Sequence, residues 1–150
     1  MSEDGISDDR RRADKRQRFI QSFMAHVPHV GALGIEYVRH GDDWAELALP
    51  PRADLAGYSD LDVVSNGAVF SLIDSAAGFA VFARSGKLGH ATIDLRLDYI
   101  GSPPPGATMT ARVTCYRLTR RIAFVRGVAH AGDPERAIAN ATGTFMFTDE

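Results

Sequence analysis

Between Ser65 and Arg84 the chain reads S-N-G-A-V-F-S-L-I-D-S-A-A-G-F-A-V-F-A-R, a run in which nearly every residue is apolar or small. Val69, Leu72, Ile73, Ala76, Ala80 and Ala83 recur at helical spacing, and Phe70, Ala77, Phe79, Val81 and Phe82 fill much of the remaining circumference. The spacing predicts a helix that opens at Ser65 or Asn66 and runs to about Ala83. Ser and Asn suit the opening because their side chains accept a hydrogen bond from an unpaired N–H of the first turn. A helix that is apolar nearly all round must be enclosed by the rest of its chain. It is short for a membrane span and is interrupted by Ser71, Asp74, Ser75 and Gly78.

Asp74 is the one charge between Gly67 and Ala83. A carboxylate among apolar neighbours is costly unless it is paired, hydrogen-bonded or protonated. Two readings follow from the helix alone. Asp74 faces water or caps a neighbouring loop, or it is kept there for chemistry.

The rest of the chain has to supply the enclosure. Its 150 residues are enough for one domain with a substantial core. A formal net charge of -2 gives no electrostatic case for nucleic acid or a membrane surface. Cys115 is the single cysteine, which excludes an internal disulfide and fits a reducing compartment. The amino terminus is polar with no apolar signal core, so the expected location is cytoplasmic. His26, His29, His40, His90 and His130 show no metal-ligand spacing, and no metal site is expected.

Residues 1–13 carry dense mixed charge without apolar periodicity and read as a disordered tail before a domain spanning 14–150. Phe19, Ile20, Phe23, Met24 and Val27 predict a short amphipathic helix over 14–27, stopped by Pro28. Residues 33–39 and 44–49 alternate around His40-Gly41-Asp42-Asp43 and read as a hairpin. Residues 50–61 read as a loop, and Gly86 or Gly89 closes the long helix. Four strands follow over 90–100, 107–118, 122–131 and 137–147. In the first, Ile93, Leu95, Leu97 and Tyr99 alternate with Thr92, Asp94, Arg96 and Asp98, which puts the two sets on opposite faces. His90 reads as a strand-entry residue. One long helix and a run of antiparallel strands make an α+β domain, and no strand–helix–strand alternation supports a parallel doubly wound sheet.

The long helix with its preceding loop, then T-I-D-L-R-L-D-Y-I, then the closing Ala139-Asn140-Ala141-Thr142-Gly143-Thr144-Phe145, resembles the hotdog-fold acyl-CoA thioesterases over about residues 30–148. The PaaI-like (phenylacetate-degradation) subfamily, related to the 4-hydroxybenzoyl-CoA thioesterases, is the nearest resemblance. That family opens its helix with His-Gly-Gly and places an acid nine positions after the His; here Ser65-Asn66-Gly67 stands at the motif and Asp74 at the acid. Thr92 matches a hydroxyl residue on the strand after the helix.

The resemblance implies a curved antiparallel sheet wrapped round a central helix, and hydrolysis of aryl- or medium-chain acyl-CoA with no cofactor beyond the coenzyme A of the substrate. The backbone N–H groups of Asn66 and Gly67, at a helix N-terminus, would stabilise the thioester oxyanion. Asp74 would act as general base or nucleophile, and Thr92 would orient the water or the acid. Asp74 lies ~12 Å along the helix from that N-terminus (eight residues at ~1.5 Å each). The resemblance therefore implies a homodimer, assembling further to a tetramer, in which the acid of one copy faces the helix start of the other. Arg117, Arg120 and Arg121 at a strand turn, with Arg84 and Lys87 after the helix, are either a solvated basic turn or contacts for coenzyme A phosphates. The acyl pocket is expected from Phe70, Phe79, Phe82 and the 50–61 loop. Because Ser65 replaces the motif His, a non-catalytic acyl-ligand binding protein is the second expectation, and a hydratase or dehydratase the third.

Overall fold

The computed structural model describes the backbone of residues 3–148 and the side chains of residues 8–148. The chain opens with helices α1 (Glu3–His26) and α2 (Pro28–Leu33), then strands β1 (Glu36–His40) and β2 (Trp44–Leu49). A 3-10 turn over Ala53–Leu55 leads to the small strands β3 (Ala56–Tyr58) and β4 (Leu61–Val64). Helix α3 (Asn66–Ser85) follows, and then the long strands β5 (His90–Tyr99), β6 (Met109–Leu118), β7 (Ile122–His130) and β8 (Ala139–Phe147).

Six strands form one sheet in the order β1-β2-β6-β7-β8-β5, with every neighbouring pair antiparallel. The sheet is folded around α3, whose Val69, Leu72, Ile73, Ala76, Ala80 and Ala83 are buried as the periodicity predicts. Against them stand the inward residues of the strands, among them Leu47, Met109, Val113, Val125 and Phe145. Helix α3 is long and apolar enough to cross a membrane by length and composition, yet the sheet supplies the apolar surround that composition demands. The expected α+β class and antiparallel order are what the chain adopts.

Three expectations are corrected. The tail expected over residues 1–13 is, from Glu3 onward, the start of α1; residues 1–2 lie outside the described residues. Arg10, Arg11, Arg12, Ala13, Lys15 and Arg16 are good helix formers, and Asp8 pairs with Arg12 one turn on at 3.1 Å, so local propensity continues a helix that its apolar face fixes only after Phe19. Pro28 ends α1 but opens α2, because a proline at the first helical position lacks only an N–H that would be unpaired there. The loop expected over 50–61 is partly the β3–β4 hairpin, in which Ala56 pairs with Val64 and Tyr58 with Leu61.

Candidate active site

Helix α3 begins in a well-made cap. Ser65 has extended backbone (φ -66, ψ 146), and its hydroxyl accepts a hydrogen bond from the Ala68 N–H at 3.3 Å. The N–H groups of Asn66 and Gly67 have no carbonyl one turn back to bond, and both residues are exposed. A side chain added at Gly67 would meet open space, so the helix start presents donors and a partial positive charge to whatever approaches it. Asn66 is helical with negative φ, so replacing the family's glycine costs no backbone strain. Tyr99 on β5 donates its hydroxyl to the Asn66 carbonyl at 2.8 Å and ties this corner to the sheet edge.

Two turns further on, Asp74 is half-buried and accepts a hydrogen bond from Thr92 at 2.9 Å, Thr92 Oγ1 to Asp74 Oδ1. Strict alternation along β5 would point Thr92 away from Leu95 and Leu97. Pairing with β8 shows why it does not. Leu95 lies opposite Gly143 and Leu97 opposite Ala141, and Thr92 lies opposite Phe145. Gly143, Ala141 and Phe145 all belong to the inward face of β8, so Thr92, Leu95 and Leu97 share the helix side of the sheet. The register shifts between Thr92 and Asp94, and the extra residue Ile93 is the bulge that reverses the alternation. The expected opposition of Thr92 to Leu95 and Leu97 is thus corrected by one inserted residue.

Asp74 and Thr92 line a cavity of about 260 Å³ together with Ser75, Gly78, Phe79 and Phe82 from α3, Leu88 and His90 beside them, Phe145 from β8, and Phe23, Val27 and Val30 from the first two helices. His90, expected only to open its strand, is therefore a wall of the cavity that holds Asp74. Its position two residues before Thr92, on the same face ahead of the bulge, was the signal in the sequence. Nδ1 of His90 lies 3.2 Å from the Lys87 carbonyl, and the ring stands edge-on to Phe145. Burial holds the imidazole below the ordinary histidine range, against the weaker upward pull of the Lys87 and Gly78 carbonyls and of Asp74.

The other candidates stand apart from the cavity. Arg117, Arg120 and Arg121 are exposed around the β6–β7 turn and none of them lines it. Arg84 is committed to the Cys115 carbonyl. Phe79 and Phe82 belong to the cavity as expected, but Phe70 is exposed near the helix start and the 50–61 loop contributes nothing to the lining. The missing wall is the α1–α2 pair, because Phe19 and Phe23 pack on Phe82 and Phe79 with ring centroids 5.0 and 5.9 Å apart. Cys115 is buried and its thiol is pushed up by that burial, which disfavours a nucleophilic role. Among the described residues no group of three or more His, Cys, Asp or Glu side chains could hold a metal ion.

An apolar cavity with one carboxylate, and a capped helix start ~12 Å away along the same helix, is a geometry that comparison with known proteins can identify. Residues 61–138 match the family model described as the thioesterase superfamily. The medium/long-chain acyl-CoA thioesterase YigI of Escherichia coli (strain K12) is 29% identical over 142 residues, covering 84% of this chain and 89% of the relative. Its counterpart in Salmonella typhimurium is 30% identical over the same coverage. A crystal structure of a Pseudomonas aeruginosa protein superposes with a TM-score of 0.78 at 28% identity, over 88% of this chain and 96% of that one. The PaaI protein of the Escherichia coli phenylacetic acid degradation operon shares the fold, with a TM-score of 0.80 at 16% identity over 91% of this chain and 96% of that one. The chain belongs to the thioesterase superfamily.

Proposed function

We propose that the protein hydrolyses medium- to long-chain acyl-CoA thioesters to the free acid and coenzyme A, in a site completed by a second copy of the chain. The observation that carries this reading is Asp74, half-buried in an otherwise largely apolar cavity and held by Thr92. The activity of the relatives that share the fold supports the reaction class.

The chemistry follows from the groups present. Thr92 occupies Oδ1 of Asp74 and leaves Oδ2 to accept a proton from water. The water oxygen attacks the thioester carbonyl carbon, its proton passes to Asp74, and the carbonyl oxygen becomes an oxyanion. The oxyanion is met by the partner subunit's Asn66 and Gly67 N–H groups, whose counterparts here are exposed and without an intrahelical acceptor. The intermediate collapses with cleavage of the carbon–sulfur bond, and the thiolate of coenzyme A takes up the proton. Direct attack by Asp74 would give an anhydride that water then opens. Solvent oxygen found in the aspartate after a single turnover would mark an anhydride opened at its aspartyl carbon, whereas the general-base route puts that oxygen in the acid alone.

A second copy is required because the Asn66–Gly67 corner and Asp74 point to different places on one helix, ~12 Å apart. The edge of β5 supports the pairing. It is the last strand of the sheet, with Ile93 56% exposed, and an unpaired edge is a template for another strand. Antiparallel pairing of two β5 edges would set the two α3 helices antiparallel, each helix start toward the other's Asp74.

Thiol release from butanoyl-, octanoyl-, palmitoyl- and phenylacetyl-CoA, measured for the wild type and for Asp74→Asn, tests the proposal. Turnover by the wild type and a loss in the variant are expected. Equal rates would remove Asp74 from the mechanism, and tight binding without turnover in the wild type would favour the acyl-ligand binding reading instead.

A further inference from the structure

Two strips of residues face each other along the cavity, one on the helix and one on the chain that returns beside it. On α3 the strip is Asp74, Gly78 and Phe82, spaced one turn apart. On the returning chain it is Thr92, His90 and Leu88. Thr92 is bonded to Asp74, and His90 Nε2 lies 3.4 Å from where a Cβ on Gly78 would sit. The first two pairs therefore run in antiparallel order, and the lining continues to Leu88 and to Phe82, ~12 Å along the helix from the carboxylate. Polar groups stand at its start and apolar ones at its far end.

We infer that this cavity is a chain-length ruler for the acyl group, with Gly78 keeping its middle open and Phe23 of α1 roofing it beside Phe79. The inference rests on the proposed hydrolysis, since the carboxylate fixes where the thioester sits. Gly78 is the point that carries most weight. Any larger side chain there would project at the His90 ring and into the space between the two strips. Glycine is also a poor residue for a helix interior, and φ at this position is negative, so no backbone requirement explains it. Space does. On the α1 side, Phe23 rests edge-to-face on Phe79, one residue past Gly78, while 46% exposed, so it covers the cavity without being built into the core. An acyl chain too long to lie beneath this ring would have to displace it.

The variants Gly78→Leu and Phe23→Ala test the ruler through kcat/KM for butanoyl-, octanoyl- and palmitoyl-CoA. A buried methylene is worth about fourfold in binding, so the octanoyl-to-butanoyl ratio should fall by about tenfold or more in Gly78→Leu. The palmitoyl-to-octanoyl ratio should rise severalfold in Phe23→Ala, a change at a half-exposed ring that leaves the fold in place. The same ratios are read a second time without chemistry, by titrating butyl-, octyl- and hexadecyl-CoA thioethers, which cannot be hydrolysed. A wild type that turns nothing over but binds the thioethers with a length gradient, lost in Gly78→Leu, keeps the ruler and overturns the hydrolase. A wild type that hydrolyses normally while both variants shift every chain length in parallel overturns the ruler and keeps the hydrolase.

Discussion

Strands β5 and β6 look alike in sequence, and the fold treats them differently. H-A-T-I-D-L-R-L-D-Y and M-T-A-R-V-T-C-Y-R-L both alternate apolar with polar over the same length. In β6, between β2 and β7, the alternation is realised: Met109, Ala111, Val113 and Cys115 are all buried against the helix. In β5, at the edge, no residue is fully buried, and a bulge at Ile93 turns the pattern over partway along. From Met109 to Thr114, β6 is held in register by β2 on one side and β7 on the other, and its own inserted residue, Tyr116, falls past the β2 pairing; β5 has one neighbour and takes its inserted residue inside the strand without disturbing a second. The chemistry sits where that freedom is. Thr92 and His90 face the cavity from β5, while the one thiol of the protein is buried and unreactive in β6.

The same substitution in both strands should separate them most. Val113→Asp puts an unpaired carboxylate into the core, at a cost of several kcal/mol against a total stability of about 5–15 kcal/mol. No cooperative unfolding transition is expected by circular dichroism. Ile93→Asp, on the exposed edge, should leave that transition nearly unmoved, because the charge stays in water. If β5 edges pair, the Ile93 variant should instead run as a folded monomer in light scattering and lose hydrolysis with the pairing. An Ile93→Asp dimer with full activity would break the assignment of the shared site to this edge.

Smaller effects sharpen the picture at the cavity. Asp74→Asn keeps shape and removes the proton acceptor, so kcat should fall by about 10²–10⁴-fold, the usual range for a general base. Thr92→Val removes only the hydroxyl that holds Oδ1, and a drop in kcat of roughly tenfold is expected, from the ~1.5 kcal/mol of a hydrogen bond to a charged group. The exposed position of Thr92 predicts a stability change within about 0.5 kcal/mol. Deleting Ile93 removes the extra residue and leaves Thr92 opposite Phe145 next to Asp94 opposite Thr144, a regular ladder that keeps Thr92 on the helix side, so kcat should stay within a fewfold of the wild type. A loss in the deletion as large as that of Thr92→Val would show that the bulge, and not the register alone, aims the hydroxyl at Asp74.

What the sequence carried, it carried through period and chemistry. The helix from Asn66 was legible because its apolar periodicity and Ser65 cap agree, and β6 because its ladders run unbroken from Met109 to Thr114, so that alternation there means burial. Asp74 was legible as the one charge on a largely buried helix. Thr92 was reachable only through resemblance, since alternation alone sent it to the wrong face; a bulge leaves no mark that a period of two can detect. Phe23 and Val27 were read as part of the apolar face of a helix, but which partner that face covers is a tertiary fact, and Val30 lies in α2, a helix not expected from the sequence. The helix before Asp14 was missed for the opposite reason: its described side chains, residues 8–13, are exposed, so propensity and an i,i+4 pair hold it where no apolar stripe can announce it.

The smallest effect tests whether His90 is as enclosed as its place in the cavity implies. Burial holds its folded-state proton affinity below that of an ordinary histidine, which ionises near pH ~6.5 when unfolded. Between those two values the unfolded chain binds more protons than the folded one, so stability rises with pH there and falls as the solution is acidified through ~6.5. His40 and His130 shift in the same direction with burial as the leading cause, so three imidazoles contribute to acid sensitivity. His90→Gln removes one contribution and leaves the others. The fall in melting temperature between pH 7.5 and 5.0 should then be smaller by roughly 1–2 °C, a modest figure because solvent still reaches part of the ring. Both proteins should melt alike at pH 7.5, apart from a constant offset for the lost packing on Phe145. An unchanged slope would mean that the imidazole ionises freely in the folded protein, and the cavity wall at β5 would then be open to water where β6 is closed.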